Sequence, residues 1–289
     1  MIPAAFDYTR ATTLAEALEA IGGGTQEAKL ICGGQTLVPL LRFRLAQPQR
    51  LVDIGRIPEL RGVTVTEDVV RIGAATTYRE LLASEPLRDA VPLVAEVTEN
   101  IGDIQVRNLG TIGGALAHAD PSADMPAAML ALDAQLHLQS VHAKRTVAAR
   151  AFFRGPFETA MAPDELLVAI ELRPLSDFTG SAYVTFEQAA SGYALVGAAA
   201  VVTLSPARGV TAASLAFTGL ADVPFLAEVP SLYGSAGDAG SVARAATESV
   251  RDVQANADIH ADAAYRLQIA KVAARRALTM ALARAAAAT

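Results

Sequence analysis

The chain has 289 residues, 52% of them in the apolar set and 19% charged, with a net charge of −6, four histidines, one cysteine and no tryptophan. This apolar share excludes a disordered chain, and the acidic balance argues against general nucleic-acid binding. A single cysteine, Cys32, rules out an internal disulfide and any cysteine-held zinc or iron–sulfur centre within the chain.

Residues 1–10 lack the basic start and apolar core of a signal peptide. The longest apolar run, about 193–204, is shorter than the ~20 residues a spanning helix needs. The expectation is a cytoplasmic protein of two modules, or three small ones.

Thr13 and Glu16 form a capping-box pattern, Leu14, Ala17, Leu18 and Ile21 repeat at helical spacing, and glycines 22–24 stop the helix. A strand at 29–32 then runs into Gly33-Gly34-Gln35-Thr36, a helical pattern over 37–45 and a strand at 51–54. These read as a small β-α-β-like unit with a glycine turn between strand and helix. Segments 62–66 and 69–73 alternate around Glu67-Asp68 as a hairpin. Thr77 and Glu80 open a helix through Leu82, and 92–101 is another helix. Residues 103–121 are rich in glycine and small residues. A helix at 125–132 and strands at 134–140 and 165–172 follow.

In the last third, 183–187, 198–204 and 209–217 read as an antiparallel sheet, 224–240 as loop, and 241–254 and 262–285 as helices. The final helix carries Arg266, Lys271, Arg275, Arg276 and Arg284. A solvated face explains them; a docking face for an acidic partner is the sharper alternative.

Two segments stand apart: Cys32-Gly33-Gly34-Gln35-Thr36 and Arg107-Asn108-Leu109-Gly110-Thr111-Ile112-Gly113-Gly114. Paired glycines let a backbone turn with positive φ and approach a ligand closely. Successive N–H groups in such a turn make an anion-binding nest. Two facing nests would suit a pyrophosphate. Neither segment is a Rossmann fingerprint or a P-loop, and either alone reads equally as a tight turn.

The first segment continues through Leu37, then Leu40-Leu41-Arg42-Phe43-Arg44-Leu45 and Leu51-Val52-Asp53-Ile54. The second is preceded by Gln105-Val106 and followed by Ala119-Asp120-Pro121 and Asp124. Together with Ala189-Ala190-Ser191-Gly192-Tyr193-Ala194 and the 258–276 stretch, they resemble the FAD subunit of molybdenum hydroxylases, the xanthine dehydrogenase and carbon monoxide dehydrogenase family. The resemblance covers essentially the whole chain.

It implies an α+β protein. An FAD-binding domain of the p-cresol methylhydroxylase and vanillyl-alcohol-oxidase-like type would comprise subdomains 1–55 and 56–176. A small α/β C-terminal domain would fill 177–289. It implies a cofactor site at Cys32, Gly33, Gly34, Gln35, Thr36 and Leu37 and at Thr111, Ile112, Gly113, Gly114 and Ala115, whose amides would hold the FAD pyrophosphate. Asp124 would contact the flavin's polyol region, Gly102 and Leu167 would line the cofactor, and Tyr193 would lie near the isoalloxazine ring.

Blander readings stand beside these roles. Asp124 could be an N-cap, Tyr193 packing, and Leu167 core. Arg107 could be a surface ion pair or could set the second turn. His118 reads as a rim residue rather than a catalyst. Gln35 and Thr36 stand where many members have His and Ser, Ala115 where Asn or Asp is common, and Cys32 where a small residue is common. Backbone contacts should survive these departures; the side-chain contact of the common His would be missing at Gln35 and a side-chain bond to the cofactor missing at Ala115, while Cys32 would be buried and inert.

The resemblance implies an FAD-binding electron-transfer subunit with no catalytic or metal-ligating residue of its own. A large partner would carry the molybdenum cofactor and a small partner 2Fe–2S clusters, as a dimer of heterotrimers. An external acceptor (NAD, a quinone or oxygen) would receive the electrons. The substrate expected is an N-heteroaromatic or other small molecule, with carbon monoxide also open. The competing expectations are a flavin-free scaffold subunit and a self-sufficient flavin oxidase.

Overall fold

The computed structural model describes residues 2–22 and 28–288. The expected helix stop at Gly23 and Gly24 lies outside them.

The first layer holds β1 (Asp7–Arg10), α1 (Leu14–Ile21), β2 (Ala28–Ile31), α2 (Leu37–Arg42) and β3 (Arg50–Asp53). Its sheet is parallel, in the order β1-β3-β2, with Tyr8 opposite Leu51 and Leu30 opposite Val52. No strand was expected at β1, because its four residues are all exposed and carry no apolar alternation; pairing with β3 alone makes it a strand. Thr13 caps α1 through the Glu16 N–H, but the Glu16 carboxylate reaches back to the Thr12 N–H at 2.7 Å, one residue earlier than a capping box requires. Helix α2 ends three residues before the expected Leu45. Arg44 turns left-handed at φ 58° and sends the Leu45 N–H back to the Leu40 carbonyl.

The second layer begins with the hairpin β4 (Val63–Val65) and β5 (Val70–Gly73). Helices α3 (Tyr78–Ala83), α4 (Glu85–Ala90), α5 (Pro92–Asn100), α6 (Ile104–Leu109), α7 (Ile112–His118) and α8 (Asp124–Ala131) follow. Then come β6 (Gln135–Gln139), β7 (Lys144–Ala148), the small pair β8 (Phe153–Gly155) and β9 (Glu158–Thr159), and β10 (Leu166–Leu172). The five-stranded sheet runs β4-β5-β10-β6-β7, all antiparallel. At its centre β10 is buried along almost its whole length. Thr77 and Glu80 form a complete capping box on α3. The unexpected α4 starts where Ser84 caps a turn with proline at its start. The glycine-rich stretch is two short helices rather than an open turn: Asp103 caps α6, and Thr111 caps α7.

The last layer is the antiparallel sheet β11 (Thr179–Glu187), β12 (Ala194–Leu204), β13 (Val210–Thr218) and β14 (Phe225–Ala227), in chain order. It is backed by α9 (Ala239–Glu248) and α10 (Ala263–Ala287). Helix α9 ends well before the expected Gln254. Ala270, Ala273, Ala274, Ala277, Ala281 and Ala285 all face inward from α10. This stripe lets the helix lie very near the sheet. A Cβ on Gly180 of β11 would fall 2.1 Å from the Ala281 carbonyl oxygen.

Of the basic residues of α10, Arg266 departs from the solvated-face reading, whereas Arg275, Arg276 and Arg284 are exposed. Arg266 is buried, donating to the carbonyls of Leu195 (2.6 Å) and Gly219 (2.8 Å) and pairing with Asp258. Arg276 lies over the Phe186 ring, and Arg284 joins Glu96 of α5 to the Ser181 carbonyl. Arg284 therefore ties the last layer to the second. The seam is closed again at Thr218, whose hydroxyl contacts the Pro121 and Ala123 carbonyls, and at Gly219, whose N–H donates to Pro121. Among the described residues, no helix is long and apolar enough to cross a membrane.

Candidate functional site: a glycine-walled cavity

Between the first two layers lies a cavity of about 930 Å³, reached on one side by the β11–β12 loop. This is near the upper end of the range for small-molecule and cofactor sites. Its walls include every residue expected at the site except Ile112.

The first segment folds as the sequence anticipates. Gly34 adopts φ 70°, a conformation costly for a residue with a side chain. From residue 33 to residue 37 the backbone N–H groups donate to nothing among the described residues, and all five residues line the cavity. Five successive donors without partners form the nest expected from the glycine pair.

The second segment works differently. Gly113 and Gly114 lie in the first turn of α7 without positive φ. The N–H groups of Ile112 and Gly113 are already spent on the carbonyls of Thr76 and Ala74, and Gly114 donates to the Thr111 hydroxyl at 3.2 Å. Ile112 is fully buried in the core and has no face toward the cavity. Glycine at 113 is needed for packing, since a Cβ there would lie 2.5 Å from that of Ala74. Of the expected second nest, the Ile112 and Gly113 amides are therefore engaged elsewhere, while the Thr111 N–H donates to nothing among the described residues, and the segment packs tightly against the first. Gly33 makes the join: its Cβ would fall 2.0 Å from the Leu109 carbonyl oxygen.

Cys32 is half-buried beside Thr111, and burial pushes its thiol up, with Thr111 partly offsetting this. Gly102 is left-handed at φ 52°. Arg107 has no ion-pair partner among the described residues; its guanidinium donates to the carbonyls of Gly102 (2.8 Å) and Ile101 (3.0 Å), which sets the turn before α6. Leu167 is a buried β10 residue beside a register irregularity, so it is core and cavity wall together. Bulges of this kind re-aim side chains beside sites. The His118 ring packs against that of Phe157, centroids 5.0 Å apart and tilted by 46°, and burial lowers its affinity for a proton.

Asp124 is the first residue of α8 and not its N-cap, which is Ala123. Its carboxyl is buried, and Oδ1 accepts the Tyr183 hydroxyl at 2.5 Å. Burial raises it to about 7, against the opposing donation from Tyr183. Tyr193 is 47% exposed at the cavity edge. Its loop is tied by the Gln188 N–H to its carbonyl and by the Ser191 hydroxyl to the Gln188 side chain.

Tyr78 was not foreseen. It is buried in the cavity wall behind Gly110, where a Cβ would sit 3.0 Å from its ring. Its only sequence signal was a place behind the Thr77 cap, which gives no facing direction.

Residues 4–174 match the family described as FAD binding domain in molybdopterin dehydrogenase. Residues 181–281 match the CO dehydrogenase flavoprotein C-terminal domain. The carbon monoxide dehydrogenase medium chain of Hydrogenophaga pseudoflava is 36% identical over 99% of this chain and 100% of its own. The 6-hydroxypseudooxynicotine dehydrogenase complex subunit alpha of Paenarthrobacter nicotinovorans is 34% identical over 99% and 97%. A solved carbon monoxide dehydrogenase from H. pseudoflava, lacking the Mo-pyranopterin moiety of its molybdenum cofactor, superposes with a TM-score of 0.94 at 36% identity, covering 98% of this chain and 99% of that one. The chain is an oxidoreductase subunit with an FAD-binding domain, and it belongs to the FAD-subunit family of the molybdenum hydroxylases.

Proposed function

We propose that the chain holds FAD in this cavity and serves as the electron-relay subunit of a cytoplasmic, heteromeric molybdenum hydroxylase. The observation that carries the reading is the run of N–H groups at 33–37 without partners among the described residues, open to a cavity large enough for a dinucleotide. The redox chemistry at the site belongs to the bound flavin ring.

The chain's own residues bind and orient. Donors at 33–37, with the Thr111 hydroxyl, face the pyrophosphate and offset its charge without a basic side chain. Gly113, Gly114 and Ala115 keep the opposite wall low, and Gly102 and Leu167 border the cofactor. Asp124 takes a hydroxyl of the polyol chain, and Tyr193 with Tyr78 borders the ring. Gln35 and Thr36 need only supply backbone, which supports the reading despite their departure from the common His and Ser. The division at residues 55 and 176 belongs to the same proposal.

The proposed partners are a large subunit with the molybdenum cofactor and a small subunit with 2Fe–2S clusters, in a dimer of heterotrimers. NAD, a quinone or oxygen would be the acceptor. Relatives named for carbon monoxide and for a nicotine derivative match about equally well; we favour an N-heteroaromatic substrate.

Gln35→Asp places an anion among the donors without disturbing the core. Flavin absorbance of the purified complex should fall to near zero with circular dichroism unchanged. Unaltered flavin content would overturn the site, and a wild-type complex without flavin would favour a scaffold. Removing the flavin should abolish acceptor reduction while substrate still bleaches the iron–sulfur absorbance of the partner.

A further inference from the structure

The Asp124 carboxylate is shaped from the far side of the seam. Tyr183 stands on β11 of the last sheet, 59 positions along the chain, yet its hydroxyl is the hydrogen-bond partner of Asp124 Oδ1. The phenol reaches that far only because residue 197 on β12 is glycine: a Cβ there would lie 2.1 Å from the Tyr183 oxygen. The neighbouring Thr218 and Gly219 grip the carbonyls of Pro121 and Ala123, so the peptide leading into Asp124 is fixed by the same sheet. Asp124 Oδ2 has no partner among the described residues, and the residue lines the cavity.

We propose that Tyr183 is a positioning residue for the cofactor: its hydroxyl occupies one oxygen of Asp124 and leaves the other, as a carboxylate acceptor, aimed at a hydroxyl of the FAD polyol chain. This rests on the reading that FAD fills the cavity with its polyol beside Asp124. Both partners of the pair are buried, and a phenol can only donate to a carboxylate. Oδ1 is therefore committed, and a ligand hydroxyl meets Oδ2 in a charge-assisted bond, stronger than a neutral one. Protonation of Asp124 would remove that assistance.

The groups facing the carboxyl are Tyr183 and Glu187 of β11, Asp120 before α8, Tyr78 of α3 and Tyr193 of the β11–β12 loop. None of these is a cation, so Tyr183 is the side chain that favours the charged form, beside the Asp124 backbone N–H. Burial acts against it and holds the carboxyl near 7. FAD affinity should therefore fall as pH drops through that value, and loss of the Tyr183 donor should move the fall to higher pH.

The test is FAD affinity, followed by flavin fluorescence quenching in the full chain across neutral pH. Wild type should weaken through one titration near about 7. Tyr183→Phe should bind about tenfold more weakly at neutral pH and show the same titration at higher pH. Asp124→Asn should be weak and flat. Fluorotyrosine at position 183, nearly isosteric and a stronger donor, should move the titration down and keeps the test open if Tyr183→Phe does not fold. Tyr183→Phe or fluorotyrosine curves superposable on wild type would reduce Tyr183 to packing, and a wild-type affinity flat with pH would overturn the inference. A wild-type chain that binds no FAD would instead overturn the cavity reading beneath it.

Discussion

Gly33 and Leu109 meet backbone to backbone, with the Gly33 Cα so near the Leu109 carbonyl that a Cβ would fall 2.0 Å from its oxygen. The contact joins the donor turn after β2 to the wall made by α6 and α7. It explains why that glycine is required although its φ is not in the left-handed region.

Gly33→Ala should therefore push the two segments apart while the rest of the chain folds. The added methyl meets backbone, which cannot swing aside like a side chain. We expect flavin content of the purified complex to fall at least tenfold, with stability to unfolding lowered by about 1–3 kcal/mol from overpacking. Full flavin occupancy in this variant would show that the joint has no bearing on binding.

Tyr193 should behave oppositely. It is 47% exposed and held through its backbone and through Gln188 and Ser191 rather than through its ring. Tyr193→Ala should leave stability within ~0.5 kcal/mol while changing the flavin absorption envelope and its quenching by iodide. A drop in melting temperature with an unchanged spectrum would assign the ring to packing.

The alanine stripe of α10 predicts the effect of volume at the sheet. Gly180→Val would set a branched side chain against the Ala281 carbonyl and the Arg284–Ala285 backbone. A loss of about 1–3 kcal/mol or more is expected from urea unfolding. Since the last sheet also grips Asp124, flavin retention should fall in parallel.

A buried carboxyl also marks the flavin-free chain. Asp124 is raised to about 7 when folded, against an ordinary value of 3.8 unfolded. The folded state thus binds an extra proton between those values. Its contribution to stability is complete below the ordinary value and is lost as pH rises through about 7. Thermal melts of the flavin-free chain should show that decline, and Asp124→Asn should flatten it. An identical pH profile in the variant would place the carboxyl in contact with solvent.

Much of the site was legible because its determinants are local. A strand running into Gly33-Gly34 is a turn wherever it occurs, and Gly34 does take positive φ. The Thr77–Glu80 box, the hairpin around Glu67-Asp68 and β10 also follow from short-range pattern. The illegible parts depend on partners far along the chain. Gly113 looks like a second flexible turn until Ala74 is found against it. Arg266 looks like a surface charge until the carbonyls of Leu195 and Gly219 surround it. Tyr183 opens an expected strand, with nothing nearby to say that its hydroxyl ends on Asp124. Strand β1 shows no inward apolar face at all and exists through β3.

The grip of Thr218 on Pro121, 97 positions earlier, carries a consequence for biosynthesis. On the ribosome, the glycine turn and the 109–115 wall are synthesised before β13. The peptide that presents Asp124 gains its lasting anchors only once Tyr183, Thr218 and Gly219 have emerged and paired. On the proposed reading, a cofactor met earlier would find donors for its phosphates but no settled acceptor for its polyol. On the same reading, full affinity for the cofactor would be reached only once the last sheet has closed, and chains truncated before β13 should bind it more weakly.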